Sequence, residues 1–208
     1  MKYREYIQLI LDDLNRFDKT IYDHNCFVKY LVFLKICFRF DTFSVLFWFR
    51  TMQYLSSKKS ILYKWLNFIA GIRLFYKRRQ TGIQIPLSCK LGGGTLFCHF
   101  SCIVFAYDVS IGKNCSIHQG VTIGRVFAGR KAGVPTIGDN VIIFPGAKVI
   151  GKINVGNNVV IGANSTVIDD VPDNCVVVGS PARIVSNNSK NAISDEWLSF
   201  FAWGQTRK

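Results

Sequence analysis

From Ile85 onward, aliphatic or aromatic residues return at steps of six: Ile85, Leu91, Phe97 and Ile103, then, after a two-residue slip, Ile111, Ile117 and Ile123. A longer interruption follows, and the series resumes as Ile137, Ile143, Val149, Val155, Ile161 and Val167. Four residues after most of these anchors stands a small or β-branched side chain: Cys89, Thr95, Ser101, Cys115, Val121, Val141, Ala147, Val159, Ser165 and Val171. Two positions in every six are thus expected to face inward. Neither a helical period of about 3.6 nor alternation along one long strand gives that spacing, whereas a solenoid of short flat strands joined by tight turns does. Glycine commonly follows the anchor (Gly92, Gly112, Gly124, Gly138, Gly156, Gly162), and Asn or Asp comes one or two places later (Asn114, Asp139, Asn140, Asn157, Asn158, Asn164). Such residues tolerate the left-handed backbone that corner turns require. The stretch is a run of hexapeptide repeats.

The pattern changes before residue 81. In Lys2 to Lys19, Tyr3, Tyr6, Ile7, Ile10, Leu11, Leu14 and Phe17 follow helical spacing, with Asp12 and Asp13 expected on the other face. Asn25 to Arg79 reads as two or three further helices rich in Phe and Trp. The expected organisation is a helical, basic, aromatic extension over 1–80, a repeat domain over 81–186 with a loop at 125–134, and a C-terminal tail over 187–208.

Charge follows the same division. Of 26 Lys and Arg against 13 Asp and Glu, residues 1–80 hold 15 and 6, and residues 81–208 hold 11 and 7. A basic extension suits nucleic acid, anionic lipid or an anionic substrate, and its interleaving with large apolar residues argues for a peripheral membrane contact rather than nucleic acid. Lys29, Lys35, Arg39 and Asp41 interrupt the apolar run Phe27–Arg50 well before the roughly 20 apolar residues of a spanning helix. The N-terminus has no signal-peptide pattern, and the expected location is the cytoplasm, at the inner membrane surface. Seven cysteines without a C-x-x-C pair argue against a disulfide framework and a structural zinc site, and no metal is expected.

Ser116–Gly124 (SIHQGVTIG), Pro135–Pro172 and Val176–Val185 (VVVGSPARIV) resemble the hexapeptide-repeat acyltransferases, most closely the serine acetyltransferase-like branch. That branch includes O-acetyltransferases of bacterial capsule and exopolysaccharide. The resemblance implies a mainly β fold: a left-handed parallel β-helix of about 18 residues per triangular coil. It further implies a homotrimer with acetyl-CoA bound in the groove between subunits.

Acetyl transfer to an alcohol needs a base, and His24, His99 and His118 are the histidines available. His24 lies outside the repeats and reads as a surface residue. His99 follows its anchor Phe97 by two, which turns it outward, and Cys98–Val104 (CHFSCIV) is similar to the family motif D-H-x-x-G-I-V, so the resemblance gives His99 the role of general base. His118 reads as a groove-wall or orienting residue. In the serine-specific enzymes an aspartate fifteen places before the catalytic histidine orients it; here that position is Gln84. An Arg-His pair that grips the amino-acid carboxylate is replaced by Gly133-Val134, leaving Arg125, Arg130 and Lys131 of the loop as substrate-side alternatives. For the cofactor, the resemblance points to Gly124, Pro145, Gly146 and Ala163 along the pantetheine arm, and to Arg183 for phosphate.

The missing carboxylate clamp and the basic extension together lead to the expectation that the acceptor is a sugar hydroxyl of a glycan precursor. Serine O-acetylation is the alternative, and a non-catalytic β-helix scaffold the second.

Overall fold

The computed structural model describes residues 1–192, and most of the expected tail, 193–208, lies outside the described residues. The repeats wind as a left-handed parallel β-helix behind a set of helices. Strands β1 (Ile83–Gln84), β2 (Lys90–Leu91) and β3 (Leu96–Phe97) form the first coil; β4 (Ile103–Phe105), β5 (Ser110–Ile111) and β6 (Ser116–Ile117) the second. The third is β7 (Thr122–Gly124), β8 (Thr136–Ile137) and β9 (Ile142–Ile143), and the fourth β10 (Lys148–Ile150), β11 (Asn154–Val155) and β12 (Val160–Ile161). Strands β13 (Thr166–Val167) and β14 (Val176–Gly179) finish the helix, and β15 (Ala182–Ser186) folds back antiparallel on β14.

Every third strand stacks, giving three faces: β1-β4-β7-β10-β13, β2-β5-β8-β11, and β3-β6-β9-β12-β14. Thr136 pairs with Asn154, Ile142 with Val160 and Lys148 with Thr166, each eighteen residues on. The loop lengthens one coil, so that Ile117 pairs with Ile143.

All the anchors are buried, and so are their small partners, with one exception that relocates the slip. Ser101 is exposed. The position it was expected to fill belongs to Ile103, which pairs with Ile83 and precedes the true anchor Phe105, paired with Ile123. The two extra residues therefore lie before Ile103, in the corner that carries His99, and not after it. Sequence alone misplaced them because Ile103 and Phe105 are both apolar and both buried.

The corner residues divide their work. Asn114, Asn140, Asn158, Asn164 and Asn174 hold φ between 55° and 61°, the left-handed region that Asn tolerates better than other L residues. Asn140 donates to Asn158 at 3.0 Å and Asn158 to Asn174 at 2.9 Å, forming a ladder up one edge. The glycines after the anchors serve closeness rather than handedness: a Cβ on Gly112 would collide with the Asp139 carboxylate and the Gly138 backbone of the next coil.

Four helices precede the coils: α1 (Tyr3–Leu14), α2 (Cys26–Arg39), α3 (Asp41–Ser56) and α4 (Ile61–Thr81). The Asn25 side chain caps α2 by accepting from the Val28 amide at 2.9 Å. Gly82, at φ 68°, ends α4 and turns the chain into β1. Val45, Leu46 and Phe49 of α3 and Leu74 of α4 join the core of the first coil, closing the open end of the solenoid. A smaller cluster of Ile10, Leu14, Ile21, Ile36 and Phe43 packs α1 and α2 onto α3.

One sequence expectation reverses here. Asp13 is not on an outer face but wholly buried, because Arg50 and the first coil provide its solvation. Its carboxylate takes Arg50 Nε at 2.5 Å and Nη2 at 3.1 Å, and accepts the Gly94 and Thr95 amides at 2.9 and 3.1 Å. Arg50 spends its remaining donors on the Leu91 and Gly92 carbonyls at 2.9 and 2.7 Å. Burial pushes the Asp13 carboxyl up to about 6, against the pull of Arg50 and the two amides. Among the described residues no helix is long and apolar enough to cross a membrane.

Candidate active site

The corner from β3 to β4 presents His99 to solvent. Two successive L residues there have positive φ, Ser101 at 109° and Cys102 at 51°. Cys102 stands where the resembling motif has glycine, so the turn is made at a cost glycine would avoid. The Ser101 carbonyl accepts the Gly120 amide at 3.0 Å, tying this corner to the next coil.

His118 occupies the next coil at the same edge and is 3% exposed. Its ring lies 6.4 Å from that of His99 and stacks on Phe144 at 5.2 Å and 10°. Its Nδ1 is 3.0 Å from the Ile143 carbonyl oxygen. A carbonyl only accepts, so Nδ1 carries the hydrogen. Burial lowers the pKa of His118 and the neighbouring His99 lowers it further, the Ile143 bond opposing both. The edge thus holds one exposed imidazole beside one buried imidazole whose surroundings disfavour the charged form.

Pro145, Gly146 and Ala163 share this edge. The Gly146 amide donates to the Gln119 carbonyl and the Asn164 amide to the Pro145 carbonyl, both at 2.9 Å, continuing the column from Gly120. Gln119, not singled out in the sequence, has its side-chain Oε1 buried with no partner among the described residues. Its only sequence signal is its place next to His118.

The remaining candidates gather at the other end of the β1-β4-β7-β10-β13 face. Gly124 ends β7 and leads into the loop, which closes as a hairpin through paired bonds between Val126 and Gly133 at 3.0 and 2.8 Å. Arg125 reaches the Tyr107 carbonyl and Asp108 at 3.4 and 3.3 Å. Lys131 binds the Ile168 carbonyl and Asp169, and Arg183 on β15 lies 3.8 Å from the same carboxylate. The Lys131 bond, with Arg183 adding to it, holds Asp169 below the usual carboxylate range. Arg130 is exposed and makes no ion pair among the described residues. Gln84 is exposed on β1, pairs through its backbone with Val104, and makes no side-chain hydrogen bond to His99. A three-residue strand at about 3.3 Å per residue puts roughly 10 Å between the two edges. Among the described residues no group of three or more His, Cys, Asp and Glu is placed to hold a metal.

Residues 135–169 match the family described as bacterial transferase hexapeptide (six repeats). The serine acetyltransferase of Synechococcus elongatus is 42% identical over 110 residues, which cover 52% of this chain and 44% of that protein. A solved structure of a serine acetyltransferase in complex with CoA aligns with a TM-score of 0.66 at 26% identity, covering 88% of this chain and 71% of that one. The Neisseria gonorrhoeae serine acetyltransferase in complex with serine gives 0.63 at 28% identity, covering 88% and 70%. The resemblance to the serine acetyltransferase-like branch of the hexapeptide-repeat acyltransferases holds.

The chain spans about half the length of the curated relatives it matches. These serine acetyltransferases correct the expectation of a sugar hydroxyl as acceptor in favour of the serine alternative. The error came from weighing the helical extension and Gly133-Val134 above the coils, which carry the similarity.

Proposed function

We propose that this chain is an O-acetyltransferase that moves an acetyl group from acetyl-CoA to the hydroxyl of L-serine, as a cytoplasmic homotrimer with the cofactor in the groove between subunits. The observation that carries the reading is the exposed His99 beside the buried His118, at one edge of a fold shared with serine acetyltransferases in complex with CoA and with serine. Likeness to named enzymes supports catalysis over a scaffold.

In this reading His99 takes the hydroxyl proton as the serine oxygen bonds to the thioester carbon, then returns it to the thiolate as the C–S bond breaks. His118, whose burial disfavours its charged form, stands in for the family's aspartate as the orienting residue of His99, and Gln84, away from this edge, takes no part in it within one subunit. Gln119 Oε1 is a buried acceptor for an N–H of the bound molecules. Pro145, Gly146 and Ala163 flank the pantetheine arm on the His99 edge, and Arg125 and Arg130 meet the serine carboxylate on the loop edge. Gly124 and Arg183 complete the cofactor side. The spread of these residues over two edges supports the trimer, since a groove between subunits joins one edge of one copy to another edge of its neighbour. Contact with the inner membrane surface through the first eighty residues belongs to the same proposal.

The test is thiol release from acetyl-CoA by the purified chain with L-serine. Release is expected, and His99→Ala should lower it by roughly 10²–10⁴ with sedimentation unchanged. Absence of release with serine overturns the acceptor, and undiminished turnover in the variant overturns His99 as base.

A further inference from the structure

Helix α4 buries little of itself. Only Ala70, Leu74 and Thr81 are buried, against α3 and the first coil. Lys77 is held by Asp41 at 2.7 Å and Arg78 by the Ile85 carbonyl, so these two cations also point inward. What faces outward is a continuous apolar stripe at helical spacing, Ile61, Trp65, Phe68, Ile72 and Phe75, with Trp65 63%, Phe68 61% and Phe75 52% exposed. Leu62, Leu66, Ile69 and Tyr76 broaden it. At about 1.5 Å per residue the helix presents this face over roughly 20 Å. An unpartnered patch of that size marks an interaction surface.

Charge selects the partner. Residues 58–81 contain seven Lys and Arg and no Asp or Glu. Lys59, Lys64, Arg73 and Arg79 are exposed around the stripe, and Arg79 lies over the Phe75 ring at 4.7 Å. A second copy of the same face would bring cations against cations, and a nucleic acid would leave the aromatic rings in water. An anionic bilayer satisfies both parts: the rings enter the boundary between headgroups and acyl chains while the ammonium and guanidinium groups stay among the phosphates. We infer that α4 lies flat on an anionic phospholipid surface and holds the β-helix against it. This narrows the membrane contact proposed above to one helix face, and it rests on exposure and charge without needing acetyl transfer.

The test is sedimentation of the full chain with vesicles of phosphatidylcholine alone or mixed with phosphatidylglycerol. The protein should pellet with the mixed vesicles at low salt, partition less at high salt, and stay in the supernatant with phosphatidylcholine alone. The triple substitution Trp65→Ser, Phe68→Ser, Phe75→Ser changes only exposed side chains and should weaken binding at least about tenfold, with circular dichroism unchanged. Lys64→Glu with Arg73→Glu tests the charged half and should weaken binding as well. The inference is overturned if the protein ignores anionic vesicles at low salt or if the serine variant binds them equally. It is also overturned if that variant instead breaks up an oligomer, which would make the face a contact between copies. None of these readouts uses acetyl-CoA, so loss of the acetyl-transfer reading would leave them standing.

Discussion

The coils and the helices that close them bury side chains under different rules. In the β-helix each inward residue meets its equivalent one coil away, as Ile117 meets Ile143 and Ile143 meets Ile161. The same two positions per repeat are filled over and over, by nearest-neighbour packing. In the helical cap nothing repeats. Besides its apolar contacts, its polar attachment to the coils centres on one buried pair, Asp13–Arg50, whose hydrogen bonds reach four backbone groups between Leu91 and Thr95. Arg16 donates to the Gly94 carbonyl and Ser116 at 2.9 and 2.7 Å, and Gln53 and Arg78 donate to first-coil carbonyls. Loss of one β-helix contact is shared along a stack, whereas loss of one partner in the cap leaves a bare charge.

That contrast is sharpest in Asp13→Ala, which strands the Arg50 guanidinium in the interior and should cost about 3–5 kcal/mol in urea denaturation. The double change Asp13→Leu, Arg50→Met should cost less than the single one, because it removes both charges together. A loss below about 1 kcal/mol for Asp13→Ala would show that the cap is held by its apolar contacts and that the two regions follow one rule after all.

The same contrast explains what could be read from the chain. The period of six survives any background, so the coils, their inward positions and the outward turn of His99 were legible from Ile85 onward. The slip was misplaced because two apolar residues one strand-alternation apart compete for one slot. Asp13 was misread because its helix position says only that it lies beside Asp12; that Arg50 meets it depends on how α1 and α3 dock, which no local pattern encodes. The first helix was legible from its apolar spacing, and the stretch Asn25–Arg79, read as two or three helices, holds three. The pairing of His99 with His118 needed the vertical register of the first two coils, Phe97 on Ile117, and the two extra residues in the His99 corner stretch that register from eighteen residues to twenty. Gln119 carried no pattern at all, its chemistry arising only when burial removes water from its oxygen.

A smaller effect separates the edge chemistry from the stack beneath it. His118 is buried with a lowered pKa, so the folded chain resists protonation that the unfolded chain accepts. Stability from this group is whole above about pH 6.5 and is lost as pH falls from there through the folded pKa. Melting temperatures across that window should decline with acid in the wild type and decline less in His118→Gln; equal slopes would show that another group carries the acid sensitivity.

The smallest expected change lies at the corner under His99, where the repeat breaks its own rule. Elsewhere the left-handed positions fall to Asn, Asp or Gly, as at Asn140, Asp108 and Gly146, but Cys102 takes φ 51° with a side chain that has no local hydrogen bond to its own backbone to offer. A left-handed L residue costs about 1–2 kcal/mol, and a glycine gives back about 0.5–1 kcal/mol through the freer unfolded chain. Cys102→Gly should therefore stabilise the chain by about 0.5–1 kcal/mol, a rise of roughly 1–4 °C in melting temperature for a chain of this length. Cys102→Ala keeps the Cβ and should show no such rise. Equal shifts in the two variants would place the gain in removal of the thiol rather than in relief of the turn, and the corner would then be no more strained than the Asn corners along the neighbouring edge.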